Sequence, residues 1–381
     1  MKREIIKIED VKRSALVEEL EKRDDIKAGR IKKLLKLPDL TRKNNSPIKL
    51  IVEAVLGILQ FENFDVMQFP EIVSTKYNFD LLNTPEDHPS RKETDTYYAD
   101  KDHVLRTHTT TMWPFYLSRL EIIEKLETSG EIGLLSHGKV YRKDEIDRNH
   151  FPVFHQVDGL YICKKDKKII GIPELKEILT AIVKAIYGDI EYRFLEDTFP
   201  FTDPSTQIEI KKGDAWLEVV GAGVVHMQVL KNLGVDPSLY NGWAFGFGLE
   251  RLAMVKMAIP DIRVFWSEDP RITSQFKNID STYKEVSKYP AVERDISFIV
   301  DKNVSLNNYY EIVRDCGGDL IEQVSLLDKY ENDKKFGEDK VSYTFRIVFR
   351  SLERTLINEE VSIIHEKICE RTKRELYANL R

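Results

Sequence analysis

The segment from residue 138 to residue 160, GKVYRKDEIDRNHFPVFHQVDGL, restricts the fold most strongly, because it is typical of two paired strands around a charged loop. Apolar and polar side chains alternate at residues 139–142 and again at residues 153–156, as in an antiparallel hairpin with one buried face. The loop at residues 143–149 is too polar to form part of a core. The segment therefore predicts an antiparallel hairpin with a long polar loop.

Two side chains at the base of this hairpin are candidates for a nucleotide site. Arg142 ends the first strand and Phe154 lies near the start of the second, so both can face one pocket. A guanidinium binds phosphate oxygens in a bidentate manner, and an aromatic face can stack on a purine. From this segment alone, an ordinary hairpin with a solvated tip is an equally good interpretation.

The composition is that of an ordinary globular protein. With 381 residues, of which 42% are hydrophobic and 32% charged, the chain has room for two or three domains. Its three cysteines are far apart, which predicts neither a disulfide framework nor a zinc site and suits a reducing compartment. No apolar run approaches the roughly 20 residues that span a bilayer, and the first residues resemble neither a signal peptide nor a transit peptide.

The net charge of −6 is distributed unevenly along the chain. Residues 1–45 hold 14 basic and 9 acidic side chains, residues 286–381 hold 16 and 18, and the residues between hold 28 and 37. A basic arm on an acidic body can contact a polyanion locally, although the net charge does not indicate it. A solvated helix face is the alternative for the basic cluster in this arm, which consists of Arg30, Lys32, Lys33 and Lys36.

Local patterns divide the chain into three segments. Residues 1–45 predict a basic helical extension with a break at Ala28-Gly29, and residues 46–285 predict the main domain. Residues 286–381 predict the order βαββα, which is close to a ferredoxin-like domain. An amphipathic helix that begins at Pro47 is expected in the core or in a dimer interface.

Two pairs of residues in the main domain are candidates for a small-molecule pocket. His108 and Thr110 are two residues apart in a predicted strand, so their side chains share a face. Phe199 and Phe201 flank a proline with a fixed φ angle, which can turn both rings to one side. Each pair is also compatible with a purely structural role.

Carboxylates and glycines farther along the chain add to these candidates. Glu209 and Glu218 lie within predicted strands, where either a Mg²⁺ ion or a salt bridge with arginine would stabilise them. The run GWAFGFGLERLAM predicts a strand, a glycine turn and a helix, and Gly246 and Gly248 would let the backbone approach a ligand closely. Arg251 falls in the first helical turns and points back toward the glycine turn. The run matches neither a P-loop nor a dinucleotide-binding motif.

Together these segments resemble the class II aminoacyl-tRNA synthetases, and within them the phenylalanine-specific enzymes of the single-chain, organelle type. The matching runs lie between residues 88 and 266 and are HPSRK, LRTHT, VYRKDEIDRNHFPVFHQ, FPFT, WLEV, GWAFGFGLERLAM and IPDIRVFW. Residues 286–381 resemble the ferredoxin-fold anticodon-binding domain through KYPAVERDISF, GGDLIEQVSLLDKY and ERTL. The resemblance implies an α+β fold, in which an antiparallel sheet flanked by helices is followed by a ferredoxin-like α/β sandwich.

The resemblance also implies a phenylalanine–tRNA ligase that acts in translation in two steps. ATP and L-phenylalanine would give phenylalanyl-adenylate and pyrophosphate, and the phenylalanyl group would then pass to phenylalanine tRNA. Mg²⁺ would accompany ATP, and no zinc is expected. A monomer is expected, with a homodimer possible. The expected compartment is the cytoplasm, with the mitochondrial matrix as the alternative because this family type is organellar.

Roles carry over to the residues that match the family's motifs. Around the nucleotide, the resemblance implies the catalytic pair Arg142 and Arg251 at the α-phosphate and adenine, Phe154 stacked on adenine, Asp144 at the adenine amino group, His150 at the pyrophosphate end, and Glu218 at Mg²⁺ or the nucleotide. Glu209 is a second metal candidate because of its position in a predicted strand. Around the amino acid, it implies His108, Thr110, Gln156 and Asp158 at the ammonium and carboxylate, and Phe199, Phe201, Phe245 and Ala244 at the ring.

The chain departs from the family pattern at Asp158, where the family usually has Glu; the shorter carboxylate should still hold an ammonium. An editing domain of the kind found in the two-chain enzymes is not expected. The alternatives are a non-catalytic tRNA-binding paralogue and a synthetase for another amino acid, such as phosphoserine. The intact motif arginines argue against the first, and the apolar side chains of Phe199, Phe201 and Ala244 argue against the second.

Overall fold

A large sheet of eight strands is the framework of the first of two compact units in the computed structural model, which describes residues 3–8, 11–286 and 289–381. The strands of this unit are β1 (Ile5–Lys7), β2 (Asp65–Gln68), β3 (Ile72–Ser74), β4 (His103–Leu105), β5 (Glu131–Tyr141), β6 (Val153–Lys164), β7 (Tyr192–Phe199), β8 (Thr202–Lys212), β9 (Ala215–Val225) and β10 (Tyr240–Gly248). The order in the large sheet is β1-β2-β5-β6-β10-β9-β8-β7, and β3 pairs with β4 separately. All neighbours in the large sheet are antiparallel except the first three strands, which run parallel.

The helices of the first unit pack against this sheet and against one another. They are α1 (Val11–Lys22), α2 (Ile26–Lys36), α3 (Pro47–Leu56), α4 (Thr75–Asn78), α5 (Met112–Leu117), α6 (Leu120–Ser129), α7 (Ile172–Tyr187), α8 (Met227–Asn232) and α9 (Leu249–Met257). The predicted helix at Pro47 forms because Ser46 accepts a hydrogen bond from the Ile48 N–H and proline suits the first helical position. Its apolar face is used within the chain, since Ile51 and Val55 are fully buried.

The hairpin at the centre of the sheet is longer than the sequence predicts. Strands β5 and β6 pair from Glu131–Cys163 to Tyr141–Val153, whereas alternation indicated only residues 139–142, which run one residue past the end of β5, and residues 153–156. The added length escapes pattern analysis because nearly every residue of β5 is buried on both faces. A strand that is buried on both faces has no polar side to alternate with its apolar one.

The first 45 residues differ from the predicted arrangement of helices alone. Strand β1 pairs with β2 at the edge of the large sheet. Helix α2 runs through Gly29 instead of breaking there, and the break lies before Asp25, whose side chain accepts a hydrogen bond from the Ala28 N–H at 2.9 Å. A side-chain N-cap of this kind fixes where a helix begins.

The second compact unit has its own sheet and core. Its elements are α10 (Pro270–Thr273), β11 (Val292–Asp301), α11 (Leu306–Gly317), β12 (Ile321–Tyr330), α12 (Asp333–Phe336), β13 (Lys340–Phe349), α13 (Asn358–Glu375) and β14 (Asn379–Leu380). The sheet order is β12-β13-β11-β14, with Phe298 and Phe345 fully buried in the core. This arrangement confirms the predicted ferredoxin-like order, to which it adds β14 and α12.

The compact units cut across the predicted boundaries. The hairpin loop from Lys143 to Pro152 and the segment Ile259–Gln275 belong to the second unit, together with the C-terminal residues. Ser287 and Lys288, next to the predicted boundary at 286, lie outside the described residues. Among the described helices, none is both long and apolar enough to cross a membrane.

Candidate active site

One face of strands β6 and β10 carries most of the predicted site, and we call it the site face. Side chains alternate along a strand, so Phe154, Gln156 and Asp158 of β6 all point to this face. In the pairing of β6 with β10, Gly246 lies opposite Asp158 and Ala244 lies opposite Leu160, which is on the same face of β6 as Asp158. The large sheet therefore brings together the predicted adenine-stacking and amino-acid-binding residues.

The predicted nucleotide pair at the base of the hairpin meets in the structure. The guanidinium carbon of Arg142 lies 5.3 Å from the centre of the Phe154 ring. Its Nε donates a hydrogen bond to the backbone oxygen of Thr107 at 2.9 Å, which holds the arginine at the end of β5. A cation above an aromatic face is attracted by the ring quadrupole, so this arrangement presents a positive charge beside a flat apolar surface.

Asp158 is a buried carboxylate held by two hydroxyl groups. Thr109 Oγ1 donates to Oδ1 at 2.6 Å, and Thr110 Oγ1 donates to Oδ2 at 2.5 Å. A side chain at Gly246 would not fit, because its Cβ would lie 2.7 Å from Asp158 Oδ1. Burial raises the pKa of Asp158 to about 6, although the two hydroxyl bonds and the nearby Arg142 and Arg106 act in the opposite direction.

Gly246 thus has a different role from the predicted one. It lies within β10 and makes room for a protein carboxylate, whereas the sequence placed it in a turn near a ligand. At the C-terminal end of the run GWAFGFGLERLAM, the predicted helix is present, because α9 begins directly after Gly248. Glycine is needed at position 246 because the carboxylate of the neighbouring strand occupies the space of a Cβ.

An aromatic wall lies beside the carboxylate. The rings of Phe199 and Phe201 stack with their centres 5.9 Å apart and their planes within 6°, as the proline between them predicted. The Phe199 ring covers Gly221, where a Cβ would lie 2.7 Å from the ring, and Gly221 pairs with Gly246. Phe201 meets the edge of Trp113 at 5.9 Å. The half-buried rings therefore lie on the same face as Asp158, two strands away across β10.

His108 adds an unpaired buried nitrogen to this region. Its ring centre is 6.1 Å from that of Phe201, and within the described part of the chain its Nδ1 is buried without a hydrogen-bond partner. Burial, aided by the charge of Arg142, lowers the pKa of His108 to about 3, so the ring is neutral at physiological pH. A buried polar atom without a partner is costly, so the Nδ1 atom of His108 is a candidate contact for a ligand.

The predicted strand that would align His108 with Thr110 is wrong. His108 is extended, but Thr109–Thr111 forms a single 3₁₀ turn that leads into α5. Because the turn replaces strand alternation, consecutive residues Thr109 and Thr110 both reach Asp158. Thr109 was not among the predicted site residues, although it stands in a run of three threonines next to His108.

Arg251 lies in the first turns of α9, next to the start of β6. The ladder pairs Gly248 with Gln156, and Glu250 accepts hydrogen bonds from the backbone N–H and the ring Nδ1 of His155 at 2.9 and 2.6 Å. The Arg251 side chain is 66% exposed, with Nη1 3.9 Å from Glu218 Oε2. The side chain of Arg251, the second predicted arginine, is therefore exposed enough to contact a bound nucleotide.

Phe245 does not belong to the predicted amino-acid site. It alternates with Ala244 along β10, so its ring points to the opposite face of the sheet. There it packs against Phe61 and Phe247, with ring centres 5.5 and 5.9 Å away. The Phe245 assignment is wrong because adjacent residues of one strand cannot line one pocket.

The two predicted metal-binding carboxylates are cross-strand neighbours with different partners. Glu209 and Glu218 pair directly between β8 and β9. Glu209 forms an ion pair with Arg193 at 2.6 Å, which is the salt-bridge alternative, whereas Glu218 is half exposed. The described residues contain no group of three or more His, Cys, Asp or Glu side chains placed to hold a metal ion. Glu218 alone of this pair is available to a metal ion that arrives with a ligand.

The remaining two predicted nucleotide contacts lie on the hairpin loop, in the second unit. Within that unit the backbone oxygen of Asp144 accepts a hydrogen bond from Arg314 at 2.9 Å. His150 Nδ1 lies 2.9 Å from Asp147, and this hydrogen bond raises the pKa of His150. Their contacts with ATP stay predictions.

Family comparison agrees with this architecture. Residues 32–276 match the class II core domain (F) of tRNA synthetases, and residues 287–381 match the ferredoxin-fold anticodon-binding domain. The chain belongs to the class II tRNA synthetases. The first match contains the whole site face, so β5, β6 and α9, which carry or adjoin Arg142, Asp158 and Arg251, belong to a class II core.

Several phenylalanine–tRNA ligases are similar to this class II chain. The chloroplastic/mitochondrial enzyme of Arabidopsis thaliana is 41% identical over 267 residues, which are 68% of this chain and 61% of that enzyme. The mitochondrial enzyme of Mus musculus is 40% identical over 301 residues, 67% of this chain and 66% of that enzyme. The mitochondrial enzyme of Saccharomyces cerevisiae is 30% identical over 343 residues, 69% of this chain and 72% of that enzyme. The chain thus spans less than two thirds of the length of the Arabidopsis and mouse relatives.

Proposed function

We propose that this class II chain attaches L-phenylalanine to phenylalanine tRNA with the use of ATP. The observation that carries the proposal is the site face, where the buried Asp158 carboxylate on β6 and the stacked rings of Phe199 and Phe201 over β9 are separated by one strand, β10. A carboxylate suits the α-ammonium of an amino acid, and aromatic rings suit a benzyl side chain through edge and offset contacts. The relatives that bear the name phenylalanine–tRNA ligase support this assignment.

Activation of the amino acid needs no protein nucleophile, because the substrate carboxylate itself attacks the α-phosphorus of ATP. The protein positions the two reactants and offsets the negative charge that develops on the phosphate. Arg142, which sits above Phe154, is proposed to bind the α-phosphate while that ring stacks on adenine. The exposed Arg251 is proposed to close the other side of the base.

Magnesium would arrive with ATP, where it would neutralise phosphate charge. Glu218 is proposed as the protein carboxylate nearest to it, since its side chain is half exposed beside Arg251. Glu209 is not proposed, because Arg193 already neutralises it. The chain itself would therefore contribute the positive charges of Arg142 and Arg251 and the carboxylate of Glu218.

The second unit is proposed to bind the tRNA anticodon. On α13, Lys373 and Arg374 are exposed, although Arg374 also lies 3.1 Å from Glu375, whereas the half-buried Arg371 is held by Asp315 and Glu375 at 2.9 and 2.6 Å. Only exposed cations can replace counterions on a phosphate backbone at little cost. Arg371 is therefore not included in the proposed tRNA-binding surface.

The compartment and the oligomeric state follow from separate observations. The names of the Arabidopsis, mouse and yeast relatives favour an organelle matrix over the cytoplasm. A monomer is favoured because the apolar face of α3, the candidate for a dimer interface, is buried within the chain.

Charging of phenylalanine tRNA with radiolabelled phenylalanine tests the proposal. The wild-type protein should charge the tRNA, and Arg251→Ala should lose at least about 10²-fold of this rate, as when a group that stabilises transition-state charge is removed. The fold should survive, because the Arg251 side chain is mostly exposed. Arg271→Ala, which removes another exposed arginine, serves as the control. Absence of charging by the wild type would overturn the proposed function, and full activity of Arg251→Ala would overturn its role.

A further inference from the structure

Tyr377 presents an aromatic ring to solvent directly after the C-terminal end of α13. Its side chain is 85% exposed, the highest value among the exposed large hydrophobic side chains of the described residues. A single exposed ring is common on protein surfaces, so exposure alone does not indicate a function. The backbone and the neighbours of Tyr377 supply the argument.

The backbone of Tyr377 has a conformation that a tyrosine adopts only at a cost in free energy. Its φ angle is +52°, in the left-handed region. The residue follows Leu376, the C-cap of α13, and helices often place glycine at this position because glycine has no Cβ to clash. Glycine would therefore serve the fold better here, and the helix end does not explain the tyrosine side chain. Residues held in such a conformation are concentrated at sites where the protein binds a partner or performs chemistry.

The flanking residues hold Tyr377 in place. Leu376 and Ala378, on either side of it, are both buried. The chain then enters β14, which pairs with β11 at the edge of the sheet. Because a helix fixes the backbone on one side and a strand fixes it on the other, the ring is already positioned before a partner binds, which lowers the cost of binding.

The last turn of α13 places positive charge before the ring. Lys373 and Arg374 are exposed in this turn. Its acidic residue, Glu375, is paired with Arg371 at 2.6 Å and with Arg374 at 3.1 Å. Such a surface suits a partner that has both negative charge and flat rings. Unpaired RNA nucleotides have both features, since their phosphates bind Lys and Arg and their bases stack on aromatic side chains.

The same end of the four-stranded sheet carries further aromatic and basic side chains. Strand pairing brings the start of β14 and the end of β12 to this end. Tyr330, the last residue of β12, meets the ring of Phe336 edge-on, with centres 5.9 Å apart. The guanidinium carbon of Arg381 lies 5.7 Å from the centre of the Phe336 ring. Aromatic faces combined with arginine are typical of surfaces that bind single-stranded nucleic acid.

We propose that Tyr377 stacks on an unpaired base of the tRNA anticodon loop, while Lys373 and Arg374 contact the adjoining phosphates. This inference rests on the proposed function, in which the second unit binds the anticodon, and it adds a residue that contacts a base directly. Stacking uses the face that every base has, so Tyr377 contributes affinity without selecting a sequence. The left-handed tyrosine is thus kept for RNA binding and not for the fold.

Substitutions at this position separate the ring from the rest of the surface. Tyr377→Phe keeps the aromatic face, Tyr377→Leu keeps apolar area without it, and Tyr377→Gly removes the side chain at a φ angle that suits glycine. All three should fold, because the side chain is exposed, and Tyr377→Gly should melt at least as high as the wild type. Leu59→Ala is the control, since it removes a similarly exposed apolar side chain from the first unit.

The probe is an RNA hairpin with the sequence of the anticodon arm of phenylalanine tRNA, titrated into the full chain and followed by fluorescence anisotropy. Tyr377→Gly and Tyr377→Leu should weaken hairpin binding and raise the KM for tRNA in charging by about fivefold to about a hundredfold, as for the loss of one stacked base. Tyr377→Phe and Leu59→Ala should behave as the wild type. Phenylalanine-dependent ATP–pyrophosphate exchange should not change in any variant.

Tyr377→Trp adds a spectroscopic readout that a merely structural role would not move. The hairpin should quench the emission of the new indole, measured against the four native tryptophans of the wild-type protein. A fully paired RNA duplex should not quench it, because its bases are stacked on one another and are not open to the ring.

The outcomes distinguish this inference from the proposed function. If the wild type charges no phenylalanine tRNA, the proposed function fails. If the wild type charges tRNA but Tyr377→Gly or Tyr377→Leu binds hairpin and tRNA as tightly as the wild type, stacking by Tyr377 is overturned while the function stands. If Tyr377→Gly instead changes the sedimentation of the free protein and leaves hairpin binding unaltered, the ring belongs to a contact between copies, which also overturns the inference. Weaker binding in Tyr377→Gly and Tyr377→Leu but not in Tyr377→Phe, with quenching by the hairpin alone, would establish it.

Discussion

His155 and Glu250 are joined by two hydrogen bonds at the point where β6 lies beside the start of α9, from the ring Nδ1 at 2.6 Å and from the backbone N–H at 2.9 Å. Both side chains are buried. The other ring nitrogen of His155 accepts a hydrogen bond from the Leu40 N–H at 3.0 Å, which ties the N-terminal segment to the same point. Because Phe154 precedes His155 and Arg251 follows Glu250, this pair fixes how the two proposed adenine contacts are spaced.

Glu250→Gln should therefore weaken ATP binding without touching ATP. An amide oxygen in the place of Oε1 can accept from the ring Nδ1, but the NH₂ group then replaces Oε2, which accepts from the His155 backbone N–H at 2.9 Å, and leaves that N–H only the longer contact of 3.1 Å. Leaving such a buried donor without a partner costs about 1–3 kcal/mol. We expect the free energy of unfolding in urea to fall by this amount and the KM for ATP to rise about tenfold. Glu177→Gln, the same change at an exposed position of α7, should alter neither quantity; an unchanged KM for ATP in Glu250→Gln would show that the pair does not space the site.

Phenylalanine binding should weaken as the pH falls toward 6. Only the ionised form of Asp158 attracts an ammonium, and its pKa of about 6 means that the carboxylate becomes protonated as the pH falls through that value. Arg142 and Arg106 stay charged, and His108, with a pKa of about 3, stays neutral in this range. The KM for phenylalanine in the exchange reaction should rise about tenfold per pH unit below 6.

Asp158→Asn should raise the KM for phenylalanine at neutral pH and remove this pH dependence. Because burial raises the pKa of Asp158 in the folded state, its ionised form opposes folding at pH 7, so the asparagine variant should be at least as stable as the wild type there. A KM for phenylalanine that stays constant between pH 7.5 and about pH 5 would mean that Asp158 does not bind the ammonium.

Gly246→Ala tests the packing beneath the carboxylate. The added Cβ would lie 2.7 Å from Asp158 Oδ1, and the short side chain must move to avoid it. We expect a higher KM for phenylalanine and a loss of roughly 1–3 kcal/mol in the free energy of unfolding, as for overpacking of a core. Gly29→Ala makes the same change in α2, where nothing lies within 4 Å of the new Cβ, and should stabilise the protein by about 0.5–1 kcal/mol. Equal effects of the two variants would contradict the role of Gly246.

The proposed tRNA surface is best tested by point substitutions. Deletion of residues 286–381 would remove the core in which Ile146 of the hairpin loop is buried, so it would disturb that loop as well. The double variant Lys373→Ala/Arg374→Ala should raise the KM for tRNA. The slope of log K for tRNA binding against log salt concentration should become shallower by about 0.7–0.9 for each phosphate that is no longer neutralised. Exchange should be unaffected. Lys101→Ala, which changes a highly exposed lysine in the first unit, is the control. If the double variant weakens tRNA binding no more than this control does, α13 does not contact the tRNA.

Much of the site face could be read from alternation alone. Arg142 stands one residue beyond β5, and Phe154, Gln156 and Asp158 are spaced by two along β6, so a strand assignment was enough to place them together. The same rule, applied to β10, would have excluded Phe245 once Ala244 was assigned to the pocket. Phe245 was assigned to the pocket from the motif resemblance, although alternation along a strand places it on the face opposite to Ala244.

Other features depend on contacts between residues that are far apart in the sequence. Thr109 reaches Asp158 because a 3₁₀ turn interrupts the predicted strand, and local alternation gives no sign of that turn. The His155–Glu250 pair joins residues 95 positions apart. Likewise, Glu209 could be assigned to a metal or to an arginine with equal reason until the pairing of β7 with β8 placed Arg193 opposite it.

Exchange of pyrophosphate into ATP, measured for the wild-type protein with each of the twenty amino acids in turn, tests the central claim most directly. The account predicts exchange with phenylalanine, and a rate with tyrosine lower by about 10²-fold, because an apolar pocket rejects an added hydroxyl only modestly. No exchange with phenylalanine, or faster exchange with an amino acid that lacks an aromatic ring, would contradict it.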